Sequence, residues 1–430
     1  MLKFKQFIQD MNESVEGPDT SEEERAGWLP RTLHDFLFHL SSPSDPTGHK
    51  TGSILKEAVL FDIKRGDRSG GNVGTPEHLK DLPKSRSIVE KSISEGLHNR
   101  NIHKAAGEFG STFDKLESEH PSETRKKLGE SKKTFQKFAQ ARGFKATTAP
   151  KMLRGNMKTE KSSGENVLTT GLNLAPHSTS GLHDTCPNAS EDCRKNCLGT
   201  QAGGNRQYPD TALSSKILRT HFLVAHPEHA ARLVDNELAA HKKKAAKKGM
   251  LPGVRMNITS DISWEHHAPK MFERHHDTQF YDYTKLHNRV LRQYSPPSNT
   301  SNFTNSMGHP KNYHLTLSHT GTGHSESNDK HVANVLDRGG VAAMVFQRGK
   351  GNKLPTHVED VTAGKRYPVT NGDHDDNTFD RHATIKSNEG QKGHGVVSGL
   401  MLKGVKNEDA GKFANKVDDD GIVRINHPKK

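Results

Sequence analysis

Cysteine is nearly absent from this chain, with three copies in 430 residues. An odd and small number excludes a disulfide framework. Aromatic residues are scarce at 6%, and only 30% of the chain is hydrophobic, with a mean hydropathy of -0.86. No apolar run reaches the roughly 18–20 residues of a membrane-spanning helix, so no membrane contact is expected. The opening stretch, MLKFKQFIQDMNESVEG, contains acids and no apolar run before a cleavage site. It does not read as a signal peptide, and a reducing, intracellular setting is the expectation.

Charge, by contrast, is plentiful. Lys and Arg number 63 against 51 Asp and Glu, giving a net +12 and a pI near 9.4. Such a field draws in polyanions, and nucleic acid is the first partner to consider. A basic solvated surface accounts for the same excess. The 28 histidines would add further charge as the pH falls toward about 6.

The length exceeds a typical domain of about 100–150 residues, and the composition divides it. Residues 1–150 are polar and mainly helical in pattern. TLHDFLFHL, after Trp28-Leu29-Pro30, reads as a short amphipathic helix. GHKTGSILKEAVLFDIKRG is a second apolar segment, ending in a Gly/Ser turn at 65–74. Across 87–142 apolar residues recur at spacings near three and four among dense mixed charge. That pattern suits a solvated helical hairpin or bundle, or an arm that contacts nucleic acid.

From 160 to 405 short apolar strands alternate with helical stretches. Strands are expected at 167–176, 254–261, 278–285, 313–320 and 341–347, with weaker ones at 381–386 and 395–402. Helices are expected at 211–226, 228–248, 264–276 and 327–340. Pro269 weakens the third, and Ser327 reads as the N-cap of the fourth. Gly249 suits the left-handed position after a helix end. This alternation predicts an α/β fold, a partial or open (β/α) barrel with a mainly helical N-terminal extension. Residues 406–430 form a polar tail.

All three cysteines fall in one loop, GLHDTCPNASEDCRKNCLGTQAGGNR, with spacing Cys-x6-Cys-x3-Cys. Core packing explains this poorly, because structural thiols scatter along apolar faces, whereas the neighbours here are Asp, Asn, Glu, Lys and Arg. Cys186, Cys193 and Cys197 therefore read as metal ligands. Zinc needs a fourth donor, and His183 is close enough in sequence to supply it. A [4Fe–4S] cluster held by three thiolates leaves one iron open, as S-adenosylmethionine cleavage requires. The loop follows the first strand, where barrel chemistry is built. Gly203 and Gly204 would let backbone approach a bound cofactor.

Polar clusters follow the next strands. Asn257, Thr259, Ser260 and Asp261 end the second; Tyr281, Asp282, Tyr283 and Lys285 end the third; Ser318, His319 and Thr320 end the fourth. Asn257 and Ser260 are candidates for cofactor contact, and Asp261, Tyr283 and Lys285 for catalysis. Lys285 and Arg255 are the cations expected to orient an anion. Asp261 could equally cap a helix, and the tyrosines could belong to the core. VTNGDHDDNTFD (369–380) crowds oxygen ligands that suit a divalent ion, or forms an Asn-Gly turn. The run Lys242-Lys243-Lys244 with Lys247 and Lys248 complements a helix C-terminus.

Over roughly 160–405 the sequence resembles the bacteriophage gene product 88 family. The resemblance rests on LNLAPHSTSG with CPNASEDCRKNCLG, on RMNITSDISWE, on QFYDYTK, and on VAAMVFQ followed by VTNGDHDDNTFD and GVVSGLML. It implies a phage origin, an early or replication-associated gene and a place in the host cytoplasm. The cysteine loop and the Tyr-Thr-Lys strand are also distantly similar to phage radical-SAM-like proteins, although their cysteines are usually spaced x3 and x2. Three readings follow: an iron–sulfur protein, a radical-SAM-like enzyme among the options; a zinc-containing nucleic-acid-binding protein of phage replication; or a virion-associated structural protein.

Overall fold

The computed structural model describes residues 77–155, 166–201, 204–321, 327–348, 353–374, 377–380, 395–403, 406–408 and 412–427. The two apolar segments and the glycine turn before residue 77, Gly203, Asp375, Asp376 and the strand expected at 381–386 lie outside these residues.

The described chain begins with three helices, α1 (Pro83–Ser94), α2 (Ile102–Ser118) and α3 (Pro121–Gln140). Asn101 starts α2 by accepting hydrogen bonds from the His103 and Lys104 amides at 2.7 and 3.1 Å. Pro121 suits the first turn of α3, where its missing N–H costs nothing. In α2, Ile102, Ala105, Ala106, Phe109, Phe113 and Leu116 share a buried face. Phe109 packs 5.0 Å from Trp264, and Phe135 of α3 stacks 4.1 Å from Phe222. Burying each such ring contributes about 1.5–3 kcal/mol. Helices α2 and α3 thus share one core with the strand-rich region, and Ile88 and Val89 of α1 pack in a second cluster with Ala175, Leu213 and Ile217.

An ion pair fixes the α2–α3 corner. The buried Glu119 carboxylate accepts two bonds from Arg232 at 2.7 and 2.9 Å and one from Lys127 at 2.7 Å. The Arg232 hydrogen bonds hold the Glu119 carboxyl down to about 2, against an ordinary 4.5. A depressed carboxyl stabilises the fold above its unfolded value and stops doing so as pH falls through the folded one. Stability is therefore expected to decline between about pH 4.5 and 2. Glu119→Gln should cost about 1.5–3 kcal/mol at pH 7 and flatten that decline, as read by urea melts across the range.

Nine strands among the described residues build one sheet: β1 (Val167–Gly171), β2 (Leu251–Arg255), β3 (Gln279–Thr284), β4 (Tyr313–Ser318), β5 (Val341–Phe346), β6 (His357–Asp360), β7 (Lys365–Asn371), β8 (Val396–Met401) and β9 (Val423–Ile425). Their order is β1-β2-β3-β4-β5-β8-β7-β6-β9. The run from β1 to β7 is parallel; β6 joins β7 antiparallel, and β9 joins β6 in parallel. The sheet is open, as the strand–helix alternation predicts. Phe280, Tyr313, Leu315 and Leu317 are buried, and Phe272 closes on Phe280 and Tyr313 at 4.8 and 4.7 Å.

Crossover helices follow the strands. After β1 come α4 (Glu191–Lys195), α5 (Pro209–Ala225) and α6 (Pro227–Lys247). Gly249, just past α6, has φ +64°, as its position demands. The second strand ends at Arg255, earlier than expected, so Asn257–Asp261 form a loop. The helix expected at 264–276 is broken: a turn at Trp264–His267 and α7 (Pro269–Arg274) meet at Ala268, whose φ of -138° and ψ of 53° lie outside the helical region that the following proline disfavours. After β3 comes α8 (His287–Arg292), and after β4 comes α9 (Asp329–Asp337), with Asn328 rather than Ser327 at the cap. No described helix is long and apolar enough to cross a membrane.

Candidate functional site

Parallel strands deliver their following loops to one edge, the carboxyl end of the sheet, where ligands bind in open α/β folds. The cysteine loop after β1, the 256–263 loop after β2, Lys285 after β3 and His319 after β4 all emerge there, and hydrogen bonds tie them together. Thr259 Oγ1 donates to Asn173 Oδ1 at 2.9 Å, the Asp261 amide to the Thr185 carbonyl at 2.8 Å, and Lys285 Nζ to the His319 carbonyl at 2.7 Å.

The thiols are held by the loop's own geometry. Cys186 Sγ lies 3.4 Å from the His177 amide, which donates to it, and 3.5 Å from the Thr259 carbonyl. Ser190 caps α4 by accepting from the Cys193 amide at 3.2 Å. Arg194 closes the loop from inside, pairing with Asp184 at 2.9 Å and donating to the Cys186 carbonyl at 3.1 Å. Burial pushes the Cys186 thiol up to about 12, with the nearby Asp261 and Cys197 adding to it. Burial also pushes Cys197 up to about 11, and Cys193 adds to the rise. Cys197 therefore lies within electrostatic reach of both other thiols.

A buried lysine, Lys216, and a half-buried one, Lys285, flank them. Lys216 Nζ donates to the Gly199 carbonyl and, at 2.7 Å, to Asn205. Burial lowers it to about 8, against the attraction of Cys197. Lys285 is likewise lowered by burial, while Cys193 and Asp261 raise it. The Phe413 ring lies 5.7 Å from the Lys285 ammonium.

The polar residues expected at the strand ends take unequal parts. Asn257 staples its own loop: its amide group donates to the Ile262 carbonyl at 2.9 Å and its oxygen accepts from Ser260 Oγ at 2.9 Å and the Ile262 amide at 3.0 Å. Asp261 spends one oxygen on Arg289 at 2.6 Å and the other on the Lys285 amide at 3.0 Å. Both residues shape the loop from beneath. Tyr283 is half-buried under the Arg255 guanidinium, 4.9 Å from its ring. Arg255 also faces Asp282 at 3.9 Å, a buried carboxyl pushed up to about 7 by desolvation. Gly204 opens a helical turn, Gly204–Gln207. In the acidic segment Asp373 bonds the Met401 amide at 2.8 Å and pairs with Lys403, so it closes a strand end.

The three cysteines are half-buried thiols, the donor type that a thiophilic cation deprotonates on binding. The fourth zinc ligand suggested by spacing, His183, is buried. His183 sits edge-on to His221 at 6.1 Å, and its amide is tied to Ser180 at 2.8 Å. Among the described residues no group of three or more Cys, His, Asp or Glu side chains is gathered to hold a metal ion. The three thiols stand as neighbours, short of a closed ligand set.

Spacing alone missed Arg289, Lys216 and Asn415. Asn415 donates to the Val345 carbonyl at 2.8 Å and lies 3.2 Å from His319 Nδ1, while His319 Nε2 lies 2.6 Å from Asp329. Lys216 did carry a signal, a cation that stands with Arg219 inside the otherwise apolar run TALSSKILRTHFLVAH.

Fold and site together define an open, mostly parallel α/β protein with a thiol-bearing loop at the carboxyl edge of its sheet. The chain belongs to the gene product 88 family, whose model matches residues 144–416. No curated protein and no solved structure matches it.

Proposed function

We propose that Cys186, Cys193 and Cys197 hold an iron–sulfur cluster at the carboxyl edge of the sheet, in a phage protein working in the reducing host cytoplasm. The observation that carries this reading is the convergence of the chain's three thiols on one edge loop, with Cys197 in electrostatic reach of both others and Lys216 and Lys285 beside them. Lysines of this kind favour the net negative charge of a thiolate-bound cluster. His183 faces His221, which favours three protein ligands and an open position over the four-ligand zinc site.

A cluster with an open iron supplies a Lewis-acidic or one-electron centre for a bound substrate, and S-adenosylmethionine-dependent chemistry is one such use. The chain's own residues supply the frame. Asp261 and Asn257 fix the loop beneath, Thr259 and His177 seat Cys186, and Lys285 presents a cation beside Cys193. Because the sulfurs are neighbours and not a closed set, the proposal includes a rearrangement of the 186–197 loop on loading.

The reading is tested by thiol protection. Protein purified without oxygen is treated with iodoacetamide and mapped by mass spectrometry. The expected result is slow labelling of all three cysteines, accelerated after iron is removed by chelation. Full-rate labelling before chelation overturns it.

A further inference from the structure

Helix α3 lies outside the matched family region and presents a one-sided row of cations. At 3.6 residues per turn, Arg125, Lys126, Lys132, Lys133 and Lys137 fall within an arc of about 140°. All five are exposed. Among the described residues none of them has an ion-pair partner, whereas Lys127, on another flank, is held by Glu119 and Glu123 at 2.7 Å each. The acids Glu123 and Glu130 fall at the edge of the arc. The opposite face, Ser131, Phe135, Phe138 and Ala139, is buried in the shared core. The row is therefore mounted on a fixed helix and spans about 18 Å at 1.5 Å per residue.

We propose that this face of α3 docks on the phosphate backbone of double-helical DNA. Charge complementarity is the first reason: unpaired cations in a row neutralise phosphates and release counterions. The second concerns which polyanion. Binding of single strands relies on exposed aromatic side chains that stack on bases. The two aromatic residues of α3, Phe135 and Phe138, are buried at 0% and 7% exposure. A straight, rigid row with no stacking group fits a stiff duplex read without base contacts. The contact is sequence-independent and salt-sensitive. It is independent of whatever the cysteines bind.

Fluorescence anisotropy of a mixed-sequence 20-base-pair duplex with the full chain tests this, from 50 to 200 mM KCl. Five phosphate contacts should weaken binding about 500-fold over that range, and two contacts only about 12-fold. The triple change Lys126→Gln, Lys133→Gln, Lys137→Gln should therefore shift the salt response from the first figure toward the second. The matching Lys→Arg triple should keep the original response. Exposed substitutions of this kind move stability little; should the triple nonetheless fail to fold, Lys133→Gln alone is expected to reduce the log–log slope by about 0.9. An unchanged slope in folded Gln variants overturns the proposal. So does tighter binding to a single strand of equal length, or no duplex binding by the unaltered chain at 50 mM KCl.

Discussion

Arg289→Met should cost the fold about 3–5 kcal/mol, the effect of leaving buried charge uncompensated. Arg289 is 6% exposed and serves two carboxylates. It meets Glu265 through a two-pronged contact at 2.6 and 2.8 Å and Asp261 at 2.6 Å. It also donates to Thr284 Oγ1 at 3.2 Å and the Ile262 carbonyl at 3.3 Å. Lysine would not rescue it, because a point charge cannot reproduce the planar fork. The pH response supplies a sharper signature. Burial alone would raise the Glu265 carboxyl, but Arg289 outweighs it and holds the group below its ordinary 4.5. In the parent chain Glu265 therefore stabilises the fold above about 4.5 and ceases to as pH falls below it. Without Arg289 burial prevails, the folded value rises, and acidification should restore stability. Adding Glu265→Gln and Asp261→Asn to Arg289→Met should recover part of the loss at pH 7. Urea melts at pH 5 and pH 7 decide the matter. A loss below 1 kcal/mol, or one independent of pH, would mean that the carboxylates are not sealed from water.

Gly110→Ala sets two effects of opposite sign against each other. Alanine in a helix interior is worth about 1 kcal/mol over glycine. At this position α2 crosses the backbone after the Trp264–His267 turn. A Cβ on Gly110 would stand 2.6 Å from the His267 carbonyl carbon and 3.0 Å from the Ala268 Cα, and would overlap the His267 oxygen. These are backbone atoms, so no side chain can swing aside. Overpacking of this kind costs about 1–3 kcal/mol or more, and the clash should win. The expected net loss is up to about 2 kcal/mol, with the 264–268 segment displaced. Gly107→Ala is the control, since nothing lies within 4 Å of a Cβ there; it should stabilise by up to about 1 kcal/mol. Thermal melts of the two variants moving in the same direction would contradict the close crossing.

Much of this fold is legible in the residues. The strands from β1 to β5 are apolar blocks, and α5 and α6 are long periodic segments ended by Pro227 and Gly249. Strand β7, KRYPVTN, hides itself with charges and an internal Pro368 that reads as a strand breaker. Strand β9 is only three residues long. The edge loop and its thiols were visible because parallel connections must bring successive loops to one edge. The duties of Asp261 and Asn257 were not, because they depend on Arg289 and Asp282, which lie 28 and 25 residues further along the chain. Local spacing reports which groups leave a strand end; it does not report which partner has already claimed their oxygens. The packing of His183 shows the same limit, since its ring lies edge-on to His221, 38 positions further on.

Iron and acid-labile sulfide analysis of the full chain purified without oxygen, read beside its visible spectrum, tests the thiol centre most directly. The account predicts a brown protein with about four irons and four sulfides per chain, lost in Cys193→Ala. One zinc per chain with no visible absorbance would contradict it, as would a metal content that Cys193→Ala leaves unchanged.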